Sequence, residues 1–273
     1  MTTTRLLTHL VEKPWGRTDI PSAIASTEGK RIGEVWFSPP KDAGQARPLP
    51  LLVKYIFTSE KLSVQVHPND AQAQKRGLAG GKSECWYILD AEPEARLGIG
   101  LTRDLPVQEL RTAALDGKIE ALMDWKAVSA GSFYYIPAGT VHTIGGGVTL
   151  VEIQQNNDVT YRLYDYGRPR ELHLDEAMAV SIATPHAMPD RIVPITAEET
   201  LVAGSDAPFI LDMVQGKAGT VRQIEGEMLW FIPLAGSGTL DGRAWRQGEC
   251  WLIEGTADLA IDTGMSALLA RQP

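Results

Sequence analysis

The chain has 273 residues, 44% of them hydrophobic and 22% charged, with a formal net charge of −8 and a pI of about 5.2. That length supports one large or two modest domains with ample core. The acidic balance and the lack of any Lys/Arg run exclude nucleic acid as the expected partner, though a local basic pocket for a small anion remains compatible. Only Cys85 and Cys250 occur, so there is no disulfide framework. The N-terminal "MTTTRLLTHLVEKPWGR" has no apolar stretch of the secretory type, and no apolar run approaches the ~18 residues of a membrane span. A soluble, cytoplasmic protein that engages no membrane is expected.

Gly and Pro are spread along the chain, and short apolar segments alternate with turn signals, which suits many short strands. In chain order the strand segments are "GEVWFSPP", "LLVKYIF", "KLSVQVHP", "ECWYILD", "ARLGIGL", "GSFYYIP" and "GVTLVEIQQ". This spacing predicts a β-sandwich or barrel. Two helical pieces interrupt it. "PVQELRTAALDGKIEALMDW" carries Leu110, Leu115, Ile119 and Leu122 at near-helical spacing and is broken at "DG"; "HLDEAMAVSIA" opens with acidic residues. Both are expected to pack against the sheet. After the connection "TPHAMPDRIVPITAEE", a second β-rich section begins near residue 208 and contains no histidine.

The polar residues that stand out lie at strand ends. In "LSVQVHPND", Leu62, Val64 and Val66 alternate with Ser63, Gln65 and His67, so Gln65 and His67 share a face and converge on one point. A second cluster is Lys82, Ser83 and Glu84, and a third is "GSFYYIPAGTVHTIG", ending at His142. That third piece resembles the second cupin motif, matched by Gly131, Pro137, Gly139 and His142; the asparagine usual four residues later is Gly146 here. The first motif, usually His-x-His, reads Gln65-x-His67, with Glu84 further on than is usual. Two imidazoles, a carboxylate and an amide oxygen form a set suited to Zn²⁺, with Fe²⁺ or Mn²⁺ as substitutes. The bland readings are core histidines held by hydrogen bonds and a solvated glutamate.

Over roughly residues 11 to 182 the chain resembles the type I mannose-6-phosphate isomerases in their short bacterial form. The matching segments are "EKPWGR", "PLLVKYIF", "LSVQVHPND", "GKSECWYIL" and "FYYIPAGTVHTIGGGVTLVEIQQNNDVTYRLYDYGRPRELHLDEAMAV". The resemblance implies a mainly β cupin (jelly-roll) barrel with short helices, residues 1–186, followed by a linker and degenerate cupin-like β domain, residues 187–273. It implies one Zn²⁺ per chain on Gln65, His67, Glu84 and His142, and interconversion of mannose 6-phosphate and fructose 6-phosphate by proton transfer through a cis-enediol. It places an acid/base candidate at Glu152, an essential arginine at Arg162, and contacts to the substrate phosphate at Ser63, Lys54 and Lys82. The competing roles are a strand-surface carboxylate for Glu152, a structural partner of Asp158 or Asp165 for Arg162, and solvated lysines. Cys85, alternating with Glu84, is expected to face away as an inert thiol. The rival functions are a catalytically silent sugar-phosphate-binding cupin and an iron-dependent cupin oxygenase.

Overall fold

The computed structural model describes residues 2–41, 48–204 and 207–273. It is mainly β. A seven-stranded sheet runs, in spatial order, Arg191–Ile192, Ser132–Ile136, Glu84–Ala91, Val148–Gln155, Leu51–Phe57, Ile32–Ser38 and Leu7–Arg17. A five-stranded sheet runs Tyr161–Tyr164, Val64–Val66, His142–Ile144, Arg96–Leu101 and Met123–Ala127. The chain therefore carries the expected cupin arrangement, in which these two sheets enclose a barrel. Trp15, Trp86, Ile88, Leu97, Ile99, Ile144 and Leu150 fill much of its interior.

The second β section forms an eight-stranded sheet whose members include Ile210–Gly216, Thr220–Ala235, Trp251–Ile261 and Met265–Arg271. Its Trp230, Ile232, Leu252 and Leu268 pack on the outer face of the seven-stranded sheet, against Val53, Tyr55, Cys85 and Val151. Cys85 thus faces away from Glu84, and burial pushes its thiol well above the usual range. Strand Thr2–Arg5 pairs with Trp251–Glu254, while Arg191–Ile192 pairs with the barrel strand Ser132–Ile136. The first strand of each section therefore pairs into the other's sheet.

Several local expectations need correction. The strands Thr2–Arg5 and Leu7–Arg17 precede the first one expected. Their sequence lacks clean alternation because much of Leu7–Arg17 is an exposed edge. The helical segment does break at Asp116–Gly117, into Val107–Leu115 and Ile119–Leu122, but Leu115 is 62% exposed and Met123–Ala127 is strand. "HPND" is more than a turn: Asn69 accepts from the Gln72 N–H and the Gln72 side chain accepts from the Asn69 N–H, starting helix Asp70–Gln74. The alternation 62–67 holds from residue 63 onward. Val64 and Val66 face the helices, whereas Leu62 precedes the strand and joins the barrel interior. Gly146 replaces the motif asparagine where the backbone is crowded; a Cβ there would lie 2.9 Å from the Ser59 carbonyl oxygen.

Candidate metal centre

Register brings the site together. Gln65 lies opposite both His142 and Arg162 in the five-stranded sheet. On the facing sheet, Trp36 pairs with Lys54, Lys54 with Glu152 and Glu152 with Trp86, forming one row across four strands. Glu84 stands one pleat along from Trp86, opposite Gln154. Residues of one face repeat every second position, so Glu84, Trp86, Lys54 and Glu152 all point into the barrel.

His67, Glu84 and His142 are buried, with ligand atoms all within 4.8 Å of one another. His67 Nε2 is 3.6 Å from one Glu84 oxygen and His142 Nε2 is 3.3 Å from the other. Each imidazole donates its Nδ1–H to a carbonyl: His67 to Val159 at 2.8 Å, His142 to Thr140 at 2.9 Å. That tautomer leaves both Nε2 lone pairs aimed at the carboxylate, as in metal-binding histidines generally. Burial, followed by the Lys82 charge, holds His67 well below the ordinary imidazole pKa. Burial lowers His142 to about 4. Both imidazoles are therefore neutral near pH 7 and free to ligate. Neither Glu84 oxygen accepts a hydrogen bond; Lys82 Nζ approaches one at 3.0 Å as an ion pair, without hydrogen-bond geometry. Two buried carboxylate oxygens without hydrogen bonds, beside two imidazole nitrogens that meet only the Lys82 and Gln65 side chains, form a donor set that a divalent cation fits once it displaces those contacts.

Gln65 closes the group from the side. Its Nε2 is 3.3 Å from His142 Nε2, and its Oε1 accepts from Ser63 Oγ at 3.2 Å. For the amide oxygen to ligate, the Gln65 amide turns end for end, which brings Oε1 beside His142 Nε2 and leaves its NH2 to face the Ser63 oxygen.

A cavity of about 340 Å³ adjoins the centre, lined in part by Lys54, Ser63, Gln65, Lys82, Glu152 and Arg162. Lys54 Nζ lies 3.5 Å from Glu152 and 3.5 Å from Asp158, and 4.6 Å over the Trp36 ring. Lys82 Nζ also lies 3.1 Å from His67 Nε2. Burial opposes the Lys82 charge, but Glu84 and Glu152 outweigh it and raise its pKa. Neither lysine is a solvated surface group: each faces carboxylates, and Lys54, Ser63 and Lys82 line the same cavity. Arg162 does not pair with Asp158 or Asp165. Its Nη1 donates to the Glu171 carbonyl at 2.6 Å, Asp165 is bonded by Arg168 and Arg170, and the buried Arg162 Nε has no acceptor. Burial, then the Arg170 charge, lowers its pKa. Lys13 and Glu34, paired at 3.3 Å, line the cavity as well and were not among the expected site residues. The "EKPWGR" motif holds Lys13, but strand periodicity gives no hint that residues 13–16 loop out between two pairings with Ile32. A larger cavity, about 560 Å³, is walled mainly by Trp36, Phe37, Leu49, Leu51 and Leu52. Among the described residues its lining brings no set of ligating groups together, whereas the smaller cavity adjoins His67, Glu84 and His142.

The two-sheet barrel and its inward His–Glu–His group define a cupin-fold protein with a candidate metal centre. No protein-family model matches the chain. It is 34% identical over 218 residues to the mannose-6-phosphate isomerase of Streptococcus mutans, an alignment covering 76% of this chain and 69% of that protein. The chain belongs to the mannose-6-phosphate isomerase family. Matches to two Bacillus subtilis proteins, the probable mannose-6-phosphate isomerase GmuF (38% identical over 167 residues) and mannose-6-phosphate isomerase ManA (44% over 139), cover 58% and 48% of this chain. They span about half the length of those relatives, 52% and 44%. In fold, the chain superposes on the crystal structure of the Bacillus subtilis mannose 6-phosphate isomerase with a TM-score of 0.81 at 24% identity, covering 99% of this chain and 100% of the other. A zinc-bound mannose 6-phosphate isomerase superposes with a TM-score of 0.69 at 14% identity, covering 98% and 99%.

Proposed function

We propose that the chain is a metal-dependent aldose–ketose isomerase that interconverts mannose 6-phosphate and fructose 6-phosphate in the cytoplasm. The observation that carries this reading is the meeting of two unlike groups at one small cavity. Behind it the Glu84 carboxylate, ion-paired only with Lys82, faces two neutral imidazoles, and the Glu152–Lys54 ion pair stands on its wall. His67, Glu84 and His142, with Gln65, are the residues to hold one Zn²⁺, which when bound supplies Lewis-acid polarisation at the sugar's C1 and C2 oxygens. Glu152 is the group to take the proton from C2 of the open-chain aldose and return it at C1, while the hydroxyl proton moves from O2 to O1 across the cis-enediol. Lys82 keeps its ammonium in this setting and offers a donor to the oxygen that becomes negative.

Ser63, Lys54 and Lys82 serve as contacts to the sugar and its reacting oxygens. The phosphate is assigned to the side of the cavity lined by Arg162, Arg170 and His173, where the unpartnered Arg162 Nε supports an anion. Residues 1–186 are the catalytic section, and residues 187–273 support it by packing. The test is a coupled assay for fructose 6-phosphate formed from mannose 6-phosphate, before and after chelation and zinc return. Turnover that chelation abolishes and zinc restores is expected. Binding of the sugar phosphate without turnover marks the silent cupin instead, and oxygen uptake marks an oxygenase.

A further inference from the structure

We propose that Trp86 is a positioning residue for proton transfer: its indole N–H fixes the Glu152 carboxylate while its ring braces the metal ligand His142. Trp86 is fully buried at 0% exposure, and in "ECWYILD" it reads as an ordinary core residue. Its surroundings are not ordinary. Nε1 donates to Glu152 Oε2 at 3.0 Å, and the ring meets the His142 imidazole edge to face, with centroids 5.4 Å apart and planes at 73°.

The two oxygens of Glu152 therefore have different partners. Oε2 takes the indole N–H and Oε1 faces the Lys54 ammonium at 3.5 Å. A carboxylate on a two-bond stem has rotational freedom about its last bonds, and a single ion pair at that length does not fix its plane. A second donor, rigid and set directly opposite in the sheet register, does. Lys54 leans on the Trp36 ring in turn, so Trp36 and Trp86 close the row Trp36–Lys54–Glu152–Trp86 at its two ends. The indole has no proton to give at neutral pH, which makes it a donor that orients the base without neutralising it. Because the same ring lies against His142, the base and the metal-binding group are held to one rigid body.

This role rests on the isomerase reading and on Glu152 as its base. The test is Trp86→Phe, which keeps an aromatic ring beside His142 and removes the donor. Turnover number is expected to fall by about ten- to a hundred-fold, the range for losing one hydrogen bond to a charged group. KM for mannose 6-phosphate and the metal stoichiometry are expected to stay within about twofold, a split that general loosening of the core does not produce. In a Glu152→Gln background the same substitution is expected to have little further effect on residual turnover, since no carboxylate remains to be aimed. Turnover within about twofold of wild type for Trp86→Phe, or an equal loss in both backgrounds, overturns the proposal. Should the Phe variant fold poorly, the intact core carries the test: with ¹⁵N-labelled tryptophan, the Trp86 Nε1–H resonance must shift upfield in Glu152→Gln, and an unmoved resonance also overturns it. A wild-type protein with no turnover in the same assay refutes the isomerase reading itself, separately from any variant, and the Trp86 role falls with it.

Discussion

Lys82 occupies the position that metal binding has to change. Its Nζ lies 3.0 Å from a Glu84 oxygen and 3.1 Å from His67 Nε2, and both of those atoms are candidate ligands. A divalent ion entering between them must break the Lys82 contacts and then coexist with a nearby positive charge. Breaking a hydrogen bond or close ion pair to a charged group costs about 1.5–3 kcal/mol. The repulsion between a 2+ ion and an ammonium about 4 Å apart adds several kcal/mol at an effective dielectric near 20, unless the ammonium withdraws toward Glu152. Lys82→Met removes both terms, and the first alone corresponds to roughly a ten- to hundred-fold gain in affinity. The same change leaves Glu84 without its cation, so the metal-free variant is expected to melt below the wild-type protein and to gain more from added zinc. Competition against a chromophoric chelator measures the affinity directly, whatever happens to turnover. Equal or weaker zinc binding by Lys82→Met would refute this account of the centre.

Lys54→Ala removes the ammonium facing Glu152 and is expected to lower turnover at least ten-fold with zinc content unchanged, measured by steady-state kinetics and elemental analysis. Arg162→Gln is expected to act chiefly on KM, raising it about ten- to a hundred-fold for the phosphorylated sugar and little for residual turnover of mannose; equal effects on both sugars would count against a phosphate contact. Glu249, bonded by Arg5, Trp251 Nε1 and the Arg246 N–H, ties the first strand to the eight-stranded sheet. Glu249→Ala is expected to lower stability by about 1 kcal/mol in a denaturant titration and leave kinetics intact. Burial, opposed by the bond to the Tyr135 carbonyl, depresses the pKa of His186 below its unfolded value. The unfolded chain then binds the extra proton first, so stability falls as pH drops below about 6.5, and His186→Gln is expected to flatten that fall.

How much of this was legible in the sequence depends on what strand periodicity encodes. It assigns a face, and so Gln65 with His67, and Glu84 against Cys85, were readable directly. The cupin-like turn at His142 added the third corner, and the structure brings His67, Glu84 and His142 together as expected. Periodicity does not encode lateral neighbours. Lys54 and Glu152 lie far apart in sequence and meet only through antiparallel register, so their ion pair was not readable from either segment. A tryptophan among apolar residues carries no sign of where its N–H points, so Trp86 was invisible as a site residue. The strand Thr2–Arg5 was hidden for the same reason: its partner, Trp251–Glu254, is at the other end of the chain.

The seven-stranded sheet also explains why a section without histidine accompanies the site. Its central strands are buried on both faces, and alternate residues serve different neighbours. Val53, Tyr55, Cys85, Tyr87, Val151 and Ile153 belong to the core shared with the eight-stranded sheet. The residues between them, Lys54, Glu84, Trp86 and Glu152, face the barrel and are all at most 4% exposed. Buried charges of this kind hold their positions only if the backbone beneath them cannot shift, because a small displacement leaves an unpaired charge in a low dielectric. An open outer face would leave that row of apolar side chains in water and the sheet free to flex. The eight-stranded sheet prevents this by packing Trp230, Ile232, Leu252 and Leu268 against it. This packing braces the wall on which Glu84, Glu152 and Lys54 stand, and it is made by a continuous apolar surface rather than by ligating groups.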